Sequence, residues 1–179
     1  MGGAYASSDG VLVMLLAVGQ AAWAQWNGDG QQCFELTKPE SFKPDQALPI
    51  CTRAIQSGQL IDRNLATVYY YRGNIYSFKR DFKKAIPDYG EAVRLDPTLA
   101  QAYNGRGFAK FFLGQYEEAT KDFGRSIDWR PTDLYTLLWR YITQFRSGAD
   151  GRSDLERILR EVQKNEVELN EWPAPVISF

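Results

Sequence analysis

Apolar, aromatic and small residues recur along this chain at intervals that suit paired helices rather than strands. The pattern predicts helices near 45–57, 64–79, 82–95, 99–113, 116–129, 133–147 and 153–164. Asp81 precedes the third of these as a candidate N-cap. Pro87 lies inside it, removes one hydrogen bond and should bend it slightly. Ala47 and Ala54 repeat the seven-residue spacing of Ala85 and Ala92, so 45–56 reads as a second helix without a partner, ended by Gly58. Residues 25–43 are polar and predict no definite element.

The chain also matches itself at a shift of 34 residues. Tyr69-x-x-Arg72-Gly73 aligns with Tyr103-x-x-Arg106-Gly107, and Phe82-x-x-Ala85-x-x-Asp88-Tyr89 with Tyr116-x-x-Ala119-x-x-Asp122-Phe123. Asp96-Pro97 aligns with Arg130-Pro131. A fixed period with small residues at fixed places means helix pairs stacked into a solenoid. Ala85, Ala119, Gly73 and Gly107 let helices approach closely, and Pro97 and Pro131 punctuate the units.

At these residues the chain resembles the tetratricopeptide repeat family, whose pattern is W-x-x-L-G-x-x-Y, then A-x-x-x-F, then P. The first unit supplies Tyr69, Gly73, Tyr76, Ala85, Tyr89 and Pro97; the second supplies Tyr103, Gly107, Ala119, Phe123 and Pro131. Arg72 and Arg106 stand where Leu is usual, and Lys110 replaces the Tyr. The resemblance implies an all-α superhelix of antiparallel helix pairs. The division that follows is a leader over 1–24, a cap over 25–63, repeats over 64–97 and 98–131, a degenerate repeat over 132–164 and a tail over 165–179. In the degenerate unit Arg140 and Gly148 keep phase, while Ser153 and Arg157 stand where a small residue and an aromatic belong. Leu134-Tyr135-x-x-Leu138-Trp139, Gly148-x-Asp150 and Trp172-Pro173 look, more loosely, like the last unit of exported bacterial tetratricopeptide proteins of the NlpI lipoprotein type. The tail contains Trp172-Pro173-Ala174-Pro175, which is not helical throughout, and its apolar residues are expected to pack on the last helix.

Val11 to Val18 is an apolar run of eight residues, followed by Ala22-Trp23-Ala24. Such a run is too short to span a bilayer, and the small-x-small triplet reads as a signal-peptide cleavage site. The absence of Lys or Arg before the run departs from that reading, and a buried N-terminal helix is the alternative. Export to a bacterial periplasm is the expectation, with no membrane insertion after cleavage. In an exported chain the two cysteines, Cys33 and Cys51, favour a disulfide; two buried thiols are the alternative.

Composition removes several chemistries. There is no His, which excludes His triads, His acid–base catalysis and His-ligated metals. Two Cys exclude a four-Cys zinc site within the chain. Gly105-Arg106-Gly107 has no strand before it and fits a helical repeat better than a phosphate loop. A formal net charge of −1 does not suit a nucleic-acid surface. The expectation is a non-enzyme with no cofactor, no metal and no nucleic acid.

The Arg positions point inward. Arg72, Arg106 and Arg140 are each followed after sixteen residues by an acid, namely Asp88, Asp122 and Glu156. Three partly buried ion pairs are expected, with a guanidinium forked onto each carboxylate. A Ser153–Glu156 capping box competes for the last acid.

The family lines its concave face from the first helix of each repeat, at the second, fifth, ninth, twelfth and thirteenth positions. The resemblance carries those positions to Thr67, Tyr70, Asn74, Ser77 and Phe78, to Gln101, Asn104, Phe108, Phe111 and Phe112, and to Tyr135, Leu138, Ile142, Phe145 and Arg146. The family's carboxylate clamp places Lys at the fifth position, where this chain has Tyr70 and Asn104. An apolar protein or peptide partner is therefore expected, held by aromatic pockets and oriented by Asn74 and Asn104. The alternatives are that Phe108, Phe111 and Phe112 are core, and that the module joins copies of itself with no separate ligand.

Overall fold

The structure, a computed structural model, describes residues 28–165, and side chains through 160. The leader and most of the tail lie outside the described residues. Among the described residues there are eight α-helices and no strand. They are α1 (Asp29–Thr37), α2 (Pro44–Gln56), α3 (Asp62–Phe78), α4 (Phe82–Leu95), α5 (Ala100–Phe112), α6 (Tyr116–Trp129), α7 (Leu134–Ser147) and α8 (Arg152–Asn165), with a 3₁₀ turn at Pro39–Ser41. Each packs mainly on its chain neighbours, so the helices stack as successive pairs in an all-α solenoid.

Helix ends follow local chemistry. Asp81 accepts from the Lys84 amide at 3.3 Å, and Asp133 accepts from the Thr136 amide at 3.2 Å, each capping the helix that follows. Pro44 opens α2, where its missing N–H costs nothing. The three first helices end alike. A left-handed residue stands at Arg80, Gly114 and Gly148, and the next amide donates five residues back, Asp81 to Tyr76, Gln115 to Lys110 and Ala149 to Gln144. That is the Schellman closure, and a non-glycine carries it only at Arg80.

The helix spacing is set where a ring meets a glycine. A Cβ on Gly73 would stand 2.8 Å from the Tyr89 ring, and one on Gly105 would stand 2.6 Å from it. Tyr89 is thus lodged between its own first helix and the next. Phe123 does the same at Gly107, where the distance would be 2.9 Å. Any side chain there forces helices apart, so these glycines serve close packing rather than backbone freedom.

At the N-terminal end the same place is filled by sulfur. Cys33 of α1 and Cys51 of α2 form a disulfide, with Sγ atoms 2.05 Å apart and both residues fully buried. Cys51 lies four residues after Ala47, as Tyr89 lies four after Ala85. Around the bond pack Ala47, Ala54, Leu60, Val68 and Ile75. Helix α1 was not anticipated: its sequence is largely polar, and it is held by the disulfide, the Leu60 contact at Gly30, the Asp29–Arg53 pair, the Phe34–Tyr71 ring contact and Leu36 against the core. Nothing in a single-helix pattern announces contacts of that kind.

Two of the three expected ion pairs are present. Arg72 Nε and Nη2 donate to Asp88 Oδ2 and Oδ1 at 2.7 and 2.6 Å, and Arg106 meets Asp122 at 2.8 and 2.6 Å. Hydrogen bonding to Asp88 raises the Arg72 guanidinium above its ordinary value, so it stays charged. Lys110 Nζ, in the place of the family's Tyr, joins Asp122 at 2.7 Å. Each Arg also faces the preceding second helix. Arg72 reaches Thr52, while Gly90 and Gly124 leave room for Arg106 and Arg140.

The third expected pair is corrected. Arg140 forks onto Asp154, with Nε 2.6 Å from Oδ2, and Glu156 is exposed on α8 with Arg160 at 3.7 Å. The Ser153–Glu156 box is not formed either, because α8 begins at Arg152 and Ser153 lies inside the helix rather than at its N-cap. The reason is a shortening by two residues. Gly151-x-x-Asp154-Leu155 takes the register of Ala85-x-x-Asp88-Tyr89. In that register the bulk is exchanged: Tyr141 stands where Gly73 and Gly107 do, and a Cβ on Gly151 would lie 2.7 Å from its ring. The small residue sought at Ser153 is Gly151.

Two predictions follow from these contacts. Asp154→Ala strands a half-buried guanidinium and should destabilise by about 3–5 kcal/mol, whereas Glu156→Ala should change stability by about 0.5 kcal/mol or less, both read by urea unfolding. Asp96 accepts from the Thr98 hydroxyl at 2.6 Å, the Thr98 amide at 3.0 Å and Arg63 Nε at 3.1 Å. These bonds, the hydroxyl's first, hold its carboxyl below the usual carboxylate range. A lowered folded value favours folding above the unfolded value, near pH ~4, and the gain fades as pH falls through the folded value. Asp96→Asn should therefore be less stable than the parent at pH 7, with the gap closing at pH 3; an unchanged gap contradicts the assignment.

Candidate functional site

The first helices α3, α5 and α7 lie side by side along the stack, and the expected groove positions fall on them. Tyr70 is half-buried, with ring centroids 5.3 Å from Tyr71 and 6.2 Å from Tyr89. Burial pushes the Tyr89 phenol above its ordinary value, so it stays protonated and donates to Asn74 Oδ1 at 2.8 Å. Burial raises the Tyr70 phenol likewise. Asn74 is therefore committed to Tyr89. Asn104 donates through Nδ2 to Thr136 Oγ1, and its buried Oδ1 has no partner among the described residues.

The structure brings Phe108, Phe111 and Phe112 into one aromatic cluster. Phe108 meets Phe123 at 5.4 Å, Tyr135 at 5.6 Å and Trp139 at 4.7 Å. Phe111 meets Phe112 at 5.6 Å, Tyr116 at 5.5 Å and Trp139 at 5.3 Å. Phe112 stacks on Phe82 at 5.0 Å, with the rings 9° from parallel. All three are half-buried, so they join successive repeats and keep part of each ring accessible. Phe78 stands apart, 52% exposed, with only an edge contact to Phe42 at 4.8 Å. At the other end Phe145 is 73% exposed, beside Arg146, whose Nη2 donates to the Tyr116 hydroxyl at 3.0 Å.

Of these rings Phe78 and Phe145 are exposed, and Phe108, Phe111 and Phe112 are half-buried. No Lys stands at any of the fifteen family-derived positions. Two contributors escaped the sequence reading. Trp139 is the hub of the cluster, and Phe42, ahead of the first repeat, flanks Phe78. Trp139 lies four residues after Tyr135, a spacing that puts it on the same helical side. Phe42 carries no such signal, because it sits in the turn before α2.

Among the described residues no helix is long and apolar enough to cross a membrane, and no three His, Cys, Asp or Glu side chains are placed to hold a metal ion.

Stacked helix pairs of this kind define a helical-repeat solenoid. The particular repeat is shown by the sequence models: residues 66–99 and 100–133 each match the tetratricopeptide repeat, so the chain carries two such repeats. No curated protein matches the sequence. Among solved structures the chain is similar to MamA, at 18% identity and a TM-score of 0.68, covering 78% of each chain. It is also similar to the second tetratricopeptide domain of human RPAP3 in complex with the HSP70 peptide SGPTIEEVD, at 21% identity and a TM-score of 0.58, covering 68% of this chain and 96% of that one. A third is the first tetratricopeptide domain of Spaghetti, bound to the HSP90 peptide SRMEEVD, at 22% identity and a TM-score of 0.59, covering 73% and 98%.

The exposures divide the face into two kinds of residue. Phe112→Ser removes a stacked ring and should cost about 1–3 kcal/mol, while Phe78→Ser should cost less than about 1 kcal/mol. Thermal melts of the two variants check this, and equal losses contradict the division.

Proposed function

We propose that this chain is a non-catalytic interaction scaffold that holds an apolar peptide segment of a protein partner along the face of α3, α5 and α7. The observation that carries the proposal is the set of rings on α3, α5 and α7, exposed at Phe78 and Phe145 and half-buried at Phe108, Phe111 and Phe112, with no Lys at the family-derived positions. Rigid aromatics are the usual anchors of binding energy, and accessible rings on a protein surface favour an interface. The site residues are Tyr70, Asn74, Phe78, Asn104, Phe108, Phe111 and Phe112, with Trp139 and Phe145 added. Phe78 and Phe145 act as direct anchors. Phe108, Phe111, Phe112 and Trp139 form the floor. Asn104 lines the same face, with its Nδ2 held by Thr136.

The RPAP3 and Spaghetti domains support peptide binding as the kind of work this fold does. Their peptides end in Glu-Val-Asp and are acidic. Tyr70 and Asn104 at the clamp position offer no ammonium to such a carboxylate, so this face favours a different ligand class. For setting, we propose the cell envelope of a bacterium, reached through a cleaved leader over 1–24. The buried Cys33–Cys51 disulfide supports an oxidising compartment.

Selection from a random peptide library on the full chain tests the ligand. Winners should be rich in apolar and aromatic residues, and SRMEEVD should bind no better than a scrambled control. The Phe78→Ser, Phe145→Ser double variant should bind the winners at least tenfold more weakly, with circular dichroism and melting unchanged. Undiminished binding by that variant overturns the groove assignment.

A further inference from the structure

The turns that join each first helix to its second lie along one edge of the stack. Phe82, which opens α4, stacks on Phe112, which ends α5, so the α3–α4 turn and the α5–α6 turn are neighbours. In the 34-residue register their charges are opposite. Lys83 and Lys84 stand where Glu117 and Glu118 do, each pair following the same aromatic position, Phe82 or Tyr116. The first turn also carries Lys79 and Arg80, where the second has Leu113 and Gly114. Residues 79–84 thus hold four cations and one acid, and residues 113–118 hold two acids and no cation. The third turn does not extend the series, because Asp150 and Arg152 satisfy each other at 3.2 Å.

Much of this charge is not used within the chain. Lys79 holds Asp45 and Lys84 holds Asp81, but among the described residues Arg80, Lys83, Glu117 and Glu118 make no ion pair. All four are exposed. Glu117 and Glu118 suit the first turn of α6, because the amide end of a helix is positive. Lys83 in the same place on α4 opposes that dipole, so helix stability does not account for it. The acidic turn also presents Leu113 at 37% exposure, an apolar seat for the methylene stems of lysines. Around Gly114 the space is open, since a Cβ there would meet nothing within 4 Å.

We propose that this edge is the interface of a two-fold dimer, in which the α3–α4 turn of one copy docks on the α5–α6 turn of the other while the reverse contact forms alongside. Two complementary patches one repeat apart fit a second copy, because a two-fold axis between them satisfies both at once. A partner of a single charge sign would satisfy one patch and meet repulsion at the other. The contact is small and made largely of exposed charges, so the dimer is weak and salt-sensitive. It is formed by helix ends rather than helix faces, and it stands whether or not the groove takes a peptide.

Analytical sedimentation of the full chain tests the interface. The dimer dissociation constant should rise at least about tenfold as ionic strength goes from about 0.01 M to about 1 M and the Debye length falls from about 30 Å to about 3 Å. The Lys83→Glu, Lys84→Glu variant carries two acidic turns and should sediment as a monomer at low salt. The Glu117→Lys, Glu118→Lys variant carries two basic turns and should do the same. Mixed in equal amounts, the two should form a heterodimer, and a chain with all four substitutions should dimerise like the parent. A parent that stays monomeric at low salt, a dimer that persists in either variant alone, or a mixture that stays monomeric would overturn the proposal. A measurement on the unaltered chain stands beside these. Carbodiimide should join Lys83 or Lys84 to Glu117 or Glu118 in a product of dimer mass, and a dimer-mass product without that link would place the contact elsewhere and overturn this edge.

Discussion

A ring held where a helix has no side chain sets the geometry of this protein. Tyr89 touches the bare backbone at Gly73 on one side and at Gly105 on the other, and Phe123 repeats the contact at Gly107. Because a second helix can approach that closely, the Arg of each first helix reaches across to the acid on its own partner and toward the helix before it. The buried charges are affordable only in that geometry, where both carboxylate oxygens are matched by the guanidinium fork. The same spacing lays α3, α5 and α7 side by side, so that rings from neighbouring units meet as Phe108, Phe111 and Trp139 do.

Much of this was legible in the sequence. The self-match at 34 residues located the central repeats, since each unit must supply the same ring, the same small residue and the same ion pair. What failed was rigid counting. Adding sixteen to Arg140 lands on Glu156, but the stretch from the left-handed Gly148 to the acid of α8 is two residues shorter than its counterparts, and the carboxylate that faces Arg140 is Asp154. The exchange of bulk between Tyr141 and Gly151 hid that shift, because a search for a small residue followed by a ring finds neither in its usual place. Helix α1 was invisible for another reason. Its stability comes from a covalent bond and a few contacts, not from a stripe of apolar residues.

The aromatic face shows how far family position predicts role. The counted positions all lie on the three first helices, yet their surroundings differ. Phe112 is stacked and half-buried, Phe78 is largely free, and Asn74 is committed to the Tyr89 hydroxyl. Those differences arise from neighbours such as Phe82, Phe42 and Tyr89, which position counting within one helix does not include. A face of this kind is half core and half surface, so the rings that would touch a ligand also hold the repeats together.

The disulfide has a mechanical consequence. Helix α1 is the first described element from the N-terminal side, so without Cys33–Cys51 it would peel away before the others when the chain is pulled from that side. With the bond in place, tension entering ahead of Asp29 passes from Cys33 directly to Cys51, in the middle of α2. The eighteen-residue path between them carries no load. Force is delivered to a helix seated on α3, and the stack resists as a body rather than unwinding from its end.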